Sequence, residues 1–457
     1  MRRRPPVIVI PVVGVAIVLA LPVWVAAPKA WAQALPEIVE EESANEPVGY
    51  TPADTAAATA SPASTLVLTG YVDVGFVNAQ GDGTSFAPGD TRLPADYGVD
   101  PFATAVNSRG DAASTASGGR FVNGFLPYSA GVGGRPSFLI NTINVDVRFT
   151  APTAPVMVFT RLQLVPRAGG DAGNDLDGDG TRVVAEQAFG RITPFESTEL
   201  ALAVGKFDSV FGIEYLENQA NLRTGITPSL IARYTTGQSI GAKLFYRLQI
   251  APLWSALSLN AAATTSGTMV TSLQTPHASL TGVPVGSARL GYELNLPRVQ
   301  VKAGASGLVG PRNDQADADS LQRAWGVDVR VHWFGLAFSG EYLVLDQDRG
   351  AGPKRTGLGQ FPLPSAFHVE GFYAQLAYGR DVTLGPLRRA TVYARGEQRH
   401  ARFEGFTPVK VRRLTAGLRL DLWDSLALKG EVLMNREVEG APTVENDVYA
   451  TSVVWTW

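Results

Sequence analysis

Trp325-Gly326-Val327-Asp328-Val329-Arg330-Val331-His332-Trp333 is the stretch that decides the fold. Its odd-numbered residues are all valine or tryptophan, and its even-numbered ones are glycine, charged or polar. A period of two marks an extended strand, whose successive side chains point to opposite faces. The alternation recurs along the chain. Ile143, Val145, Val147 and Phe149 alternate with Thr142, Asn144, Asp146 and Arg148; Ile240, Ala242, Leu244, Tyr246, Leu248 and Ile250 with Gly241, Lys243, Arg247 and Gln249; Leu414, Ala416, Leu418 and Leu420 with Arg413, Thr415, Arg419 and Asp421. A soluble sandwich alternates too, with strands of about 5–6 residues. These runs reach about ten or more, the length a tilted strand needs to cross a bilayer.

Carried outward, the period predicts strands over 65–78, 137–150, 155–166, 182–193, 198–207, 239–250, 255–264, 286–296, 298–309, 323–334, 336–347, 367–380, 387–398, 411–422, 425–436 and 447–457. The connections alternate in length. Short ones fall at 151–154, 194–198, 251–254, 297, 334–335, 381–386 and 423–424, and long ones at 79–136, 168–181, 208–238, 265–285, 310–322, 348–366, 399–410 and 437–446. Short turns on one side and long loops on the other are the asymmetry of outer-membrane barrels, with the turns periplasmic and the loops extracellular. In hydrocarbon every backbone N–H and C=O needs an internal partner, so strands span only as a closed barrel. The expected fold is therefore all-β, a transmembrane antiparallel up-and-down β-barrel of about sixteen strands around a water-filled lumen.

The rest of the chain agrees. Arg2, Arg3 and Arg4 precede an almost wholly apolar run, Val7 to Ala27, and Ala30-Trp31-Ala32 offers a small-x-small cleavage site. Residues 1–32 thus read as a signal peptide of a secreted chain. Removing them takes away four basic residues and no acidic one, leaving a remainder more acidic than the −3 of the whole chain. That balance speaks against a nucleic-acid partner. Residues 33–64, rich in Ala, Thr, Pro and Ser, read as a periplasmic linker too poor in large apolar groups to form a core. The barrel occupies 65–457. With no cysteine in the chain, neither disulfides nor thiolate metal sites are available.

In the final strand Tyr449, Val453, Trp455 and Trp457 share one face. A terminal aromatic there resembles the signal by which outer-membrane barrels are recognised for insertion, which makes the barrel-assembly machinery an expected partner. A second resemblance lies in Gly205-Lys206-Phe207-Asp208-Ser209-Val210-Phe211-Gly212-Ile213-Glu214, in Gly371-Phe372-Tyr373-Ala374-Gln375-Leu376-Ala377-Tyr378 and in Arg395-Gly396-Glu397. These are similar to motifs of the phosphate-selective porins and their OmpL-like relatives. The resemblance implies that the third loop, here 208–238, folds into the lumen and narrows it. Lys206 at its root, and Arg223 and Arg233 within it, would then line the constriction. The chain departs from the phosphate-selective members in lacking an evident basic ladder.

The alternation turns Arg148, Arg161, Lys243, Arg247, Arg289, Lys302, Arg330, Arg395, Arg413, Arg419 and Lys429 inward, with Asp73, Asp146, Glu293, Asp328, Glu341, Glu397, Asp421 and Glu431. Fixed wall charges bias which ions enter; pairing across strands would instead rigidify the wall. Asp175, Asp177, Asp179 and Glu186 match a calcium-loop pattern. No helical pattern flanks them, and an acidic surface loop is the competing reading. Neither a nucleophile elbow nor a metalloprotease helix is present, so no enzyme and no further cofactor are expected. The functional expectation is an outer-membrane porin for passive diffusion of ions and small hydrophilic solutes, weakly favouring anions, embedded in outer-membrane lipid and able to form a homotrimer. The alternatives are a structural or adhesive barrel working through 79–136, and an outer-membrane hydrolase.

Overall fold

The structure is a computed structural model. It describes residues 64–79, 137–151, 155–166, 181–195, 199–217, 219–251, 254–265, 283–311, 321–348, 355–357, 361–363, 366–403, 408–439 and 447–457. The expected signal peptide, nearly all of the expected linker, residues 80–136 of the expected loop 79–136, and Asp175–Asp179 lie outside them.

The strands are β1 (Thr65–Ala79), β2 (Ser137–Thr150), β3 (Val156–Pro166), β4 (Thr181–Ile192), β5 (Glu199–Asp208), β6 (Gln238–Ala251), β7 (Ser255–Thr264), β8 (Val285–Leu296), β9 (Val299–Pro311), β10 (Leu321–Trp333), β11 (Leu336–Gln347), β12 (Arg355–Gly357), β13 (Phe361–Leu363), β14 (Phe367–Leu384), β15 (Leu387–Phe403), β16 (Val409–Leu422), β17 (Leu426–Glu439) and β18 (Val448–Thr456). All but β12 and β13 form one closed barrel in which each strand pairs antiparallel with its chain neighbours and β1 closes on β18. Closure is completed by reciprocal backbone bonds between Gly70 and Trp457, at 3.1 and 3.2 Å. The sixteen barrel strands fall where the period of two placed them. Two differences are local. β12 and β13 add a small hairpin inside the expected loop 348–366. β14 and β15 run longer than their alternation, because pairing continues through Asp381–Arg389 at one end and Glu370–His400 at the other.

The outer face carries exposed Val204, Val327, Leu376, Leu414 and Val453, the apolar band that lipid requires. Aromatic residues gather at its short-turn edge: Trp333, Phe334, Trp423, Trp455 and Trp457 are all exposed. The turn Phe334-Gly335 has φ of 47° and 82°, the two positive values of a type I′ hairpin turn. Phenylalanine is strained there. Its ring is held against Trp333, at 5.8 Å between centroids, and under the Arg298 guanidinium at 5.4 Å.

Candidate functional site

Between β5 and β6 the chain enters the barrel instead of arching over it. The described residues of 209–237 hold a 3-10 turn, Glu214–Glu217, and a short helix, α1 (Ala232–Thr235). Phe211, Ile231 and Tyr234 are wholly buried against Val285, Leu308, Leu343, Leu345, Val369 and Tyr373 on the inner wall. Burying each large side chain is worth about 1.5–3 kcal/mol, so apolar contact alone gives this segment a seat.

Polar anchors then fix its path. Its first arm meets Glu341 on β11, which accepts the N–H groups of Ile213 and Glu214 at 3.1 and 3.3 Å, while Ser306 on β9 accepts that of Gly212 at 3.0 Å. Gly212 sits at φ +73°, and a β-carbon there would strike the Glu341 carboxylate. Only glycine combines that conformation with so close an approach. The segment next crosses to β1, β2 and β4. There the Gln219 amide bonds Tyr71 at 2.7 Å and Glu186 at 3.2 Å, and also meets Asn144. It then reaches the wall opposite its own root. Glu431 accepts Ile226 N–H at 2.5 Å, and Glu397 accepts Leu230 N–H at 2.6 Å. Arg395 and Arg413 donate to the carbonyls of Thr227 and Pro228, at 3.0 and 2.6 Å, and Lys429 to that of Ala220 at 2.6 Å.

Beside the loop lies a small recess lined by Glu214, Glu217 and Arg223 together with Ser339, Gln375 and Arg395. Its charges are largely matched. Glu217 pairs with Arg330 at 2.8 Å, and Arg395 with Glu397 at 2.8 Å. Glu214 takes the Ser229 N–H at 2.6 Å. Burial pushes the Glu214 carboxyl above its ordinary pKa, against the attraction of Arg395 and the bonds from Ser229.

The wall below is paired in the same manner: Arg161 with Asp146 at 2.6 Å, Arg289 with Asp328 at 2.7 Å, Arg419 with Asp421 at 2.7 Å, and Arg247 with both Glu199 and Glu293. The loop and wall also add carboxylates absent from the alternation count, namely Glu186, Glu199, Asp208, Glu214 and Glu217. Arginines 191, 223 and 399 join them, so among the described residues the inward excess of base nearly vanishes.

Of the residues expected at the constriction, Arg223 lies in the loop, and Arg330, Arg395 and Arg419 donate to the loop carbonyls of Ile213, Thr227 and Arg223. Lys243 lies over the Tyr215 ring at 5.6 Å, and Arg247 stands on the inner wall within its double ion pair. Lys206 is buried at the root of the loop. Its register sets it opposite Ala188 and Ile240, on the face of outward Val204, and its Nζ bonds Ala185 O at 2.6 Å. The Arg233 side chain lies outside the described residues. Glu186 is engaged with Gln219 inside the barrel, while Asp175, Asp177 and Asp179 lie outside the described residues. Tyr449, Val453, Trp455 and Trp457 all face outward and are exposed.

Tyr71, Asn144 and Gln219 were not singled out by the sequence reading. One signal was available for the loop's apolar seat. Leu343-Val344-Leu345 breaks the alternation, because there the inner face is covered as well as the outer.

No protein-family model matches the chain, and no curated protein matches it by sequence. Solved structures do. A loop L8 deletion form of the outer membrane protein OmpT of Vibrio cholerae matches at 10% identity and a TM-score of 0.49, covering 86% of this chain and 100% of that one. The outer membrane channel DcaP of Acinetobacter baumannii matches at 12% and 0.47, covering 87% and 99%. An anion-selective porin from Comamonas acidovorans matches at 9% and 0.47, covering 86% and 100%.

Proposed function

We propose that this chain is a diffusion channel of an outer membrane, passing small hydrophilic solutes and ions through a lumen narrowed by residues 209–237. One observation carries the reading: a segment between two strands is tied by backbone hydrogen bonds to the facing wall, beside a recess lined by charged groups. Such an arrangement sets a width, whereas a catalytic site would bring a nucleophile and a base together. The near balance of paired inward charges favours weak ion selectivity over a marked anion preference. Removal of residues 1–32, insertion by the barrel-assembly machinery and assembly as a homotrimer belong to the same proposal. Calcium on the Asp175–Asp179 segment would be bound without Glu186.

Reconstitution into planar bilayers tests the reading. The folded barrel gives discrete conductance steps, and the zero-current potential across a salt gradient stays small for either ion sign. Folded protein that gives no steps would sink the channel; a large potential would sink the weak selectivity.

A further inference from the structure

The outer face of β16 and β17 carries a feature that conduction does not use. Arg412 and Arg436 stand directly opposite each other in the register, both exposed. Like charges directly opposite on one sheet face destabilise the pair. Among the described residues the Arg412 guanidinium bonds only the neutral Gln398 amide, at 2.9 Å. Arg436 bonds the Asn435 carbonyl at 2.7 Å and lies 3.6 Å from Asp447. Lys410, the next outward residue on β16, stands opposite Glu439. Glu370 serves His400 at 3.0 Å and Arg402 at 4.0 Å. Among the described residues no carboxylate bonds the Arg412 guanidinium, which faces Arg436 across the strand pair.

Position decides which anion fits. The next outward residues from Arg412 and Arg436 are Leu414 and Met434, followed on β16 by Ala416, Leu418 and Leu420. From Leu414 to Leu422 the strand runs about 26 Å at ~3.3 Å per residue, or ~19 Å of barrel height at a tilt of ~45°. That approaches the ~25 Å of a barrel's apolar band, so the arginines stand at its long-loop edge. We propose that Arg412 and Arg436 clamp the phosphate of an anionic lipid in the leaflet on that side, with its acyl chains along Leu414 and Leu418. Two guanidinium forks suit the planar, bidentate recognition of phosphate. A soluble anion would gain nothing from the apolar strip below. The inference rests on the outer-membrane placement and is independent of conduction.

The test uses the folded full barrel in nonionic detergent, titrated with bisphosphorylated lipid A and followed by native mass spectrometry. Phosphatidylcholine serves as the zwitterionic comparison and excess inorganic phosphate as competitor. The R412Q/R436Q variant binds lipid A at least about tenfold more weakly, as loss of hydrogen bonds to a charged group implies. R412K/R436K falls between it and the parent. R323Q, which removes an exposed outer arginine paired with Asp348, binds like the parent. Heat-modifiable migration and unchanged conductance show that each variant is folded. Equal affinity in R412Q/R436Q would overturn the clamp, and displacement of lipid A by inorganic phosphate would reassign the site to a soluble anion. A barrel that conducts without holding lipid A refutes this inference alone; one that holds lipid A without conducting refutes only the channel.

Discussion

The carboxylate of Glu431 on β17 accepts the backbone N–H of Ile226 at 2.5 Å, joining residues 205 positions apart in sequence. The same carboxylate takes Thr227 N–H at 3.2 Å and the Tyr393 hydroxyl at 2.6 Å. A wall residue that alternation alone would assign to ion selectivity is thus an anchor for the inner loop.

Removing the anchors should therefore widen the channel. Hydrogen bonds to a charged acceptor are worth about 1.5–3 kcal/mol each. The Glu431→Gln, Glu397→Gln double variant should raise single-channel conductance and expose residues 219–230 to protease, with the barrel still heat-modifiable. Unchanged conductance together with unchanged protease resistance would show that these bonds do not hold the loop.

Gly212→Ala tests the other end of the loop. The substitution costs about 1–2 kcal/mol for the left-handed backbone, and its methyl group meets the Glu341 carboxylate. The expected outcome is a noisier channel of higher mean conductance. Gly396→Ala is the control, because a β-carbon there has open space. If the two variants behave alike in planar bilayers, the close approach is not a constraint.

Glu214 should make loop docking pH-dependent. Burial raises its pKa in the docked loop above the ordinary value of the undocked one. A carboxyl raised in this way favours the docked state most below its ordinary pKa, and that advantage is lost as pH rises through the docked value. Hydrogen-exchange protection of residues 226–231 should then fall between acidic and neutral pH. Arg395 and Glu397 face the same carboxyl and contribute to the total response, so the diagnostic quantity is the difference removed by Glu214→Gln. A variant whose pH profile matches the parent's would exclude Glu214 as the source.

At the barrel seam, Trp457 pairs its backbone with Gly70 and packs its ring at 5.6 Å from that of Trp455. Trp457→Asp should block assembly far more than an acidic substitution in a long loop. The measurement is the yield of heat-modifiable, protease-resistant barrel, and normal yield would dismiss the assembly signal.

The strands were legible because lipid outside and water or loop inside impose a period of two on each one. Even Arg330 and Asp328 could be assigned a face before any coordinates. Lys206 shows where period and environment part: its register opposite Ala188 and Ile240 gives it the parity of exposed Val204, yet it is buried and its Nζ bonds Ala185 O. The anchoring network was illegible for another reason. Glu431 and Ile226 meet only because the loop crosses the lumen, and no local periodicity encodes a contact between such distant residues. The outward pair Arg412 and Arg436 needed the register of two strands, which alternation within one strand does not supply.

A barrel of this width has no packed interior to resist lateral compression, and a hydrogen-bonded sheet bends easily across its strands. The segment 209–237 leaves from β5 and β6 and is fastened at β11, β15 and β17, so it works as a strut across the cylinder. Squeezing the wall into an ellipse would require those fastenings to stretch or slide. The loop therefore adds to the hydrogen-bonded sheet a second resistance to flattening of the cylinder.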